Sequence, residues 1–253
     1  MTTIEDTLTD LLGRGIGIAD IPGISPNATV LEVSRLSSRK NEVHLLRTHD
    51  GNIVLKVFDN ERWEREHSTI LLCRSIGILV PRPLLLGERY ILMEFLEGPN
   101  LCDLINDTLN PIYPRMIADW LADFHSAFWD EDGTLVKSDA KLQNFILTES
   151  GVAGVDFELA HRGDPIEDLG EVCAHILNTN PMFTGEKYAL CDVFLQRYRS
   201  LTSRSLEGIT DWVVRAMEEA VRFRANQRER LLQEIEELRN EDVWPFCDHD
   251  QNR

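Results

Sequence analysis

Lys137-Ser138-Asp139-Ala140-Lys141-Leu142-Gln143-Asn144, followed by Val155-Asp156-Phe157-Glu158-Leu159-Ala160, is the stretch on which the reading of this chain turns. It sets an aspartate, an asparagine five residues on, and a second aspartate at a strand end twelve residues later. Phosphoryl transfer from a nucleotide uses such a set. One carboxylate orients an attacking hydroxyl and accepts its proton, while an amide oxygen and a second carboxylate hold Mg²⁺ on the phosphates. The plain alternative is an acidic β-hairpin with two unrelated aspartates, and the first pair of residues alone would not exclude it. The surrounding sequence bears on the choice.

Upstream, residues 29–35 (TVLEVSR) and 42–48 (EVHLLRT) alternate apolar and polar side chains, the period of half-buried strands. They flank a polar tip, Leu36–Asn41. Asp50-Gly51 then signals a tight hairpin into a third strand, Asn52–Phe58, which completes a meander. Within Asn60–Ile76 the apolar residues Trp63, Ile70, Leu71 and Cys73 fit a helix that stops at Gly77. Val80-Pro81-Arg82-Pro83 must be extended. Strands are expected at Pro83–Leu86 and Arg89–Phe95 about a Gly87-Glu88 turn, and Glu97-Gly98-Pro99-Asn100 reads as a linker. Beyond it the pattern is helical, at Leu101–Asn106 and at Tyr113–Trp129 (Met116, Ile117, Trp120, Leu121, Phe124). A hairpin over 135–157 interrupts. Helices resume near Glu167, and 211–240 reads as one long amphipathic helix with a solvated charged face. A short helix is also expected at Ile4–Leu12. The pattern predicts an α+β fold of two lobes about a cleft. Residues 1–98 form a small antiparallel β-sheet lobe with one helix and a hinge at 94–98, and 99–253 form a mostly helical lobe.

Composition narrows the partners. The 253 residues are 43% hydrophobic and 27% charged, so a core can form. The formal net charge of −17 disfavours nucleic acid or an anionic membrane as the main partner, because both are bound by neutralising phosphates. It fits a cationic substrate, and it fits mere solubility equally well. Cys73, Cys102, Cys173, Cys191 and Cys247 are scattered and odd in number, which argues against a disulfide framework or a zinc site. Cys73 and Cys173 fall in apolar helical patterns and are expected in the core. The N-terminus lacks a basic and an apolar region, and no apolar run reaches membrane-spanning length. A reducing cytoplasm is the expected setting.

Taken in order, these motifs resemble the kinase-like superfamily, and within it the aminoglycoside phosphotransferase and choline kinase branch, over residues 29 to 200. Glu66, Ile70, Cys73 and Gly77 followed by Val80-Pro81-Arg82-Pro83 match its first helix and the extended segment after it. Leu92-Met93-Glu94-Phe95-Leu96-Glu97-Gly98 resembles its hinge, and Leu121-Ala122-Asp123-Phe124-His125 the helix before its catalytic loop. Gly163-Asp164-Pro165 with Asp168-Leu169 resembles the motif that marks the small-molecule branch. Only 157–164 separate Asp156 from Pro165, too few for a long phosphorylated activation segment. The resemblance implies a bilobal protein-kinase-like fold that uses ATP and Mg²⁺.

It also implies roles. Asp139 would be the base, with Asn144 and Asp156 as Mg²⁺ ligands. Lys56, framed by Leu55 and Val57, reads by itself as an ordinary strand lysine; the resemblance makes it the contact to the nucleotide phosphates. Glu66 would orient it, ahead of Glu64 and Glu61. Ser37, Ser38 and Asn41, with Arg39 or Lys40 adding charge, would form the phosphate loop, and adenine would bond the backbone around Glu94 and Leu96. Lys141 resembles the lysine of Ser/Thr protein kinases that touches the transferring phosphate. Asp168 would anchor the loop backbone, and His125 would be structural.

The chain departs from the pattern at three points. Lys137 stands where the family has histidine, the phosphate loop has no glycine, and Glu158 replaces the glycine of the protein kinases. The expected activity is transfer of the γ-phosphoryl group to a hydroxyl of a small molecule. The rivals are an atypical protein kinase of the RIO or tRNA-modification-associated type, and a non-catalytic nucleotide-binding protein. Asp103, Asp107, Glu167 and Glu171 could receive a cationic acceptor, or be plain surface carboxylates.

Overall fold

Alternation in the leading strands gives each of them one apolar face, so the sheet they form must be covered there. The computed structural model describes residues 30–38 and 40–240; Thr29, Arg39, Cys247 and the expected helix at Ile4–Leu12 lie outside them. β1 (Val30–Arg35), β2 (Glu42–Thr48), β3 (Gly51–Val57), β4 (Pro83–Gly87) and β5 (Tyr90–Glu94) form one antiparallel sheet in the order β1-β2-β3-β5-β4. Leu46, Ile53, Leu55, Tyr90 and Leu92 cluster with Val33, Val57 and Leu84. Phe58, Ile91 and Met93 cluster with Val54 and with Trp63 of α1 (Arg62–Ser75). Side chains alternate along β3, so Lys56 shares the face of Val54 and Phe58, toward α1.

Local chemistry sets the ends of these elements. Thr48 pairs with Gly51, so the two turn residues are His49 and Asp50, one place earlier than the Asp50-Gly51 signal places them. Thr48 Oγ1 donates to the Gly51 carbonyl at 2.7 Å and accepts from the Asp50 amide at 3.2 Å, and Gly51 sits at φ +130°. The helix α1 closes at Gly77, as expected. With φ +85° there, the Gly77 amide donates to Arg74 O and the Ile78 amide to Cys73 O, a Schellman cap.

The chain divides into two compact units. One holds the described residues up to Glu97 together with Phe157–Leu159; the other holds Gly98–Asp156 and the residues from Ala160 on. The second is mostly helical: α2 (Leu101–Thr108), α3 (Ile112–Ala127), α4 (Ile166–Leu177), α5 (Gly185–Thr202), α6 (Ile209–Phe223) and α7 (Arg228–Asn240). On α3, Ile117, Trp120, Leu121 and Phe124 are buried at helical spacing. Helix α4 is buried nearly all round, Asp168 and His175 included.

Two expectations need correction. The hairpin over 135–157 is two separate ladders. β6 (Thr134–Val136) pairs with β9 (His161–Gly163), and β7 (Phe145–Thr148) pairs with β8 (Gly151–Gly154) across the Glu149-Ser150 turn. The segment between β6 and β7 is thereby freed from strand pairing and is the loop that carries Asp139. The long helix at 211–240 is broken. Arg224 leaves helical dihedrals (φ −123°, ψ 65°) while its guanidinium donates to Asn178 O at 2.7 Å and Asn178 Oδ1 at 2.9 Å, and a 3₁₀ turn at Ala225–Gln227 follows. Those two bonds to a buried residue outweigh the continuity of the helical pattern.

Cys73, Cys102, Cys173 and Cys191 are free and buried, and burial pushes the Cys73 thiol up to about 12. Among the described residues no helix is long and apolar enough to cross a membrane.

Candidate active site

In the first unit, Lys56 lies at the centre of the helix-covered face. Its Nζ is 2.6 Å from Glu66 Oε2, and the two residues are only 6% and 2% exposed. The ammonium also sits 4.9 Å from the centre of the Phe58 ring. The strand lysine is therefore not a surface residue. Glu66 is its partner, chosen by helix register: Glu64, two residues earlier, is exposed in the first turn, and Glu61 stands at the helix start without a capping bond.

The β1–β2 tip closes through the Leu36 amide on the Val43 carbonyl, at 2.8 Å. Ser37 is exposed and Ser38 half-buried, with Ser38 Oγ accepting from the Asn41 amide at 3.4 Å. Asn41 is buried and its Nδ2 donates to Glu158 Oε2 at 2.5 Å, while Oδ1 finds no partner. Glu158, 2% exposed, also lies 3.8 Å from an Arg62 nitrogen. The loop asparagine and the glutamate that stands in for glycine thus hold each other. The sequence showed both residues and did not show that they meet. At the end of β5, the Glu94 carboxylate takes the Arg82 amide at 2.7 Å, with Arg74 and Arg82 guanidinium nitrogens at 3.8 and 3.6 Å. The Glu94 and Phe95 amides are used on Arg82 O and Asn52 O. Leu96, half-buried, offers the next amide along the chain.

In the second unit, the loop after β6 is held by its main chain. Asp168, fully buried on α4, accepts from two successive amides, Lys137 at 2.6 Å and Ser138 at 2.7 Å, which is the anchoring expected of it. His125 Nε2 lies 3.0 Å from the same carboxylate and its Nδ1 2.9 Å from Tyr198 OH. A carboxylate accepts, so the bond to Asp168 runs from Nε2–H. One turn along α4, Glu171 Oε2 accepts from the Ala140 amide at 2.6 Å. Of the carboxylates weighed for a cationic acceptor, Asp103 is engaged at the start of α2 with Asn100, and Glu167 with His161 and the Asp164 amide. Glu171 is the one that reaches the loop.

Gripped in this way, the loop presents Asp139, Lys141 and Asn144 together. Asp139 is 8% exposed; its Oδ1 receives Lys141 Nζ, and its Oδ2 and backbone oxygen each receive Asn144 Nδ2 at 3.0 Å. Asn144 ends a 3₁₀ turn (Leu142–Asn144), and its backbone oxygen takes the Val155 amide at 3.0 Å, one residue before Asp156. The amide nitrogen of Asn144 is spent on Asp139, so its Oδ1 remains the acceptor of that side chain, and Asp156, half-buried like Asn144, adds a carboxylate. Two hard oxygen donors with solvent access fit Mg²⁺, which binds a few protein oxygens and keeps several waters. Ser138 (φ 58°) and Asp156 (φ 66°) occupy the left-handed region, at about 1–3 kcal/mol each, a cost that stands only where neighbours dictate the conformation.

The charges interact strongly. Burial works against the Lys141 ammonium, but Asp139, Glu171 and Glu219 together outweigh it and hold its pKa above the ordinary lysine value. Burial, then the Asp139 charge, lift the Glu171 carboxyl to about 8. Lys137, where a histidine was expected, is fully buried, and its Nζ donates to the backbone oxygens of Asp139 at 2.7 Å and Asp156 at 2.8 Å.

The fold is shared with solved structures of small-molecule kinases, an aminoglycoside phosphotransferase and a choline kinase among them. An amicoumacin kinase, hAmiN, in complex with AMP-PNP, Ca²⁺ and Ami, superposes with a TM-score of 0.67 at 13% identity, over 86% of this chain and 90% of that one. The choline kinase LicA from Streptococcus pneumoniae gives 0.64 at 16% identity, over 83% and 95%. A thermostable mutant of the aminoglycoside phosphotransferase APH(4)-Ia, in its apo form, gives 0.63 at 14%, over 93% and 98%. No protein-family model and no curated protein matches the chain. At these identities the likeness establishes the fold.

Proposed function

We propose that this chain is an ATP-dependent, Mg²⁺-assisted phosphotransferase that moves the γ-phosphoryl group to a hydroxyl of a small molecule. The observation that carries the reading is the second unit's loop. There a nearly buried carboxylate, a lysine and an asparagine meet, and the asparagine's main chain is bonded to the residue before a second aspartate. Asp139 orients the acceptor hydroxyl and takes its proton. Lys141, kept charged chiefly by Asp139, offers a cation where negative charge develops on the phosphoryl oxygens. Asn144 Oδ1 and the Asp156 carboxylate hold the metal, which supplies charge neutralisation on the phosphates. In the first unit, Lys56, aimed by Glu66, contacts the nucleotide phosphates. Ser37, Ser38 and Asn41 shape the loop above them, and adenine bonds the backbone between Glu94 and Leu96.

The test is Mg²⁺-dependent ATP binding followed by an acceptor screen. Asp139→Asn is expected to bind nucleotide as wild type does and to lose about 10²–10⁴-fold in turnover. Full turnover in that variant would sink the assignment. The Lys141–Asp139 contact also suits a protein kinase, and phosphate incorporated into protein with none into small hydroxylated compounds would move the reading there. Nucleotide binding without any transfer would mark a non-catalytic protein.

A further inference from the structure

We propose that Lys137 is a positioning residue: its buried ammonium ties the main chain at Asp139 to the main chain at Asp156 and so sets the spacing between the base and the metal-holding carboxylate. The proposal rests on the phosphotransferase reading only for what those two carboxylates do. Lys137 is fully buried, a rare place for a lysine. Its amide is fixed by Asp168, so the side chain starts from a pinned point. From there one nitrogen reaches two carbonyl oxygens that are nineteen and two residues away in sequence, at 2.8 and 2.7 Å, both within the range of strong charge-assisted bonds. Its Nζ also lies 6.0 Å from the centre of the Phe145 ring.

The two carbonyls belong to segments that need such a tie. Ser138 precedes Asp139 in the left-handed region, and Asp156 itself is left-handed. An ammonium has three divergent N–H bonds on one atom, so it can draw two carbonyls toward a common point. The flat imidazole expected from the resemblance has one N–H on each of two separated nitrogens. Lysine in place of histidine thus ties the two segments through a single nitrogen, and the loop geometry is held.

A residue that only filled space would affect stability alone; a residue that sets this spacing must also alter how Mg²⁺ and nucleotide bind together. The variants are Lys137→Met, which keeps an unbranched stem without the donors, and Lys137→His. ATP binding is measured by calorimetry with and without Mg²⁺. Lys137→Met is expected to bind metal-free ATP as the wild type does and to lose about 10–100-fold of the Mg²⁺-dependent gain, with Lys137→His recovering part of it. Wild-type Mg²⁺ dependence in Lys137→Met overturns the proposal, and so does a His variant no better than the Met variant. Should Lys137→Met fail to fold, the wild type decides through ¹H–¹⁵N spectra of its lysine ammonium groups. The Lys137 signal is expected to exchange with water more slowly than that of exposed Lys40 and to shift when Mg²⁺ and ATP are added. Fast exchange, or no shift, refutes the tie. A wild type that binds no Mg²⁺ and ATP at all brings down the phosphotransferase reading and the positioning role with it. That result is distinct from a wild type that binds and a Met variant that binds alike.

Discussion

Replacing Lys56 by methionine removes one charge of a pair 2.6 Å apart whose other member, Glu66, is 2% exposed. At that separation the Coulomb attraction is about 6 kcal/mol for an effective dielectric of about 20. Desolvation of both groups offsets much of it. Removing a single partner is nevertheless expected to cost about 3–5 kcal/mol, because it strands the other charge. The double variant Lys56→Met with Glu66→Leu strands nothing and is expected to return close to wild-type stability. Urea unfolding checks this, followed by tryptophan emission, since Trp63 packs on the same face. The functional readout runs opposite: the single and double variants alike are expected to lose most Mg²⁺-dependent ATP affinity. A single variant within about 1 kcal/mol of wild type would refute the argument that the pair is desolvated. A double variant that binds ATP as the wild type does would refute the assignment of Lys56 to the nucleotide.

Asp168→Asn keeps the shape of a buried side chain but weakens its grip on the amides of Lys137 and Ser138, and a loss of about 3 kcal/mol in thermal or urea unfolding is expected. Glu171 binds a proton in the folded state that an unfolded chain has released, because its native pKa of about 8 lies above the ordinary value. Its contribution to stability is complete below the ordinary glutamate range and is lost as pH rises through about 8. Glu171→Gln keeps an acceptor for the Ala140 amide, and urea midpoints against pH are expected to flatten over that window; an unchanged slope would show the group is not the cause. Gly98→Ala places a Cβ 1.9 Å from the Leu147 carbonyl at φ +146°, and a loss of about 3 kcal/mol or more is expected by the same unfolding assay.

The β-sheet unit was legible because its signals are local. Alternating strands, a hairpin turn and a glycine stop each act within a few residues, and their outcomes follow the pattern to within a position or so. The gathering of Asp139, Lys141 and Asn144 was legible because their spacing is short enough for one loop and one turn to deliver them together. Of what depended on distant partners, the Asp168 anchor came only through the family resemblance, and the rest was not legible. The pairing of β6 with β9 is decided far along the chain, and the break at Arg224 is decided by a carbonyl and an amide on Asn178. The contacts of Glu171 with the Ala140 amide, and of Asn41 with Glu158, carry no sequence mark for the same reason. Lys137 looked like a defect in a motif because the letter changed; its function as a donor to backbone oxygens had no letter to read.

The grip of Asp168 and Glu171 on the amides of residues 137, 138 and 140 has a consequence for how this chain can vary. What α4 asks of those positions is an N–H, and every residue except proline offers one. The grip itself therefore selects no side chain at Ser138 or Ala140; the left-handed backbone at Ser138 and the burial of Ala140 are what limit those positions. A chain built this way can lose its recognisable letters one by one and still bring the same three side chains together, so its relatives are better sought through the carboxylates on the supporting helix than through the loop they support.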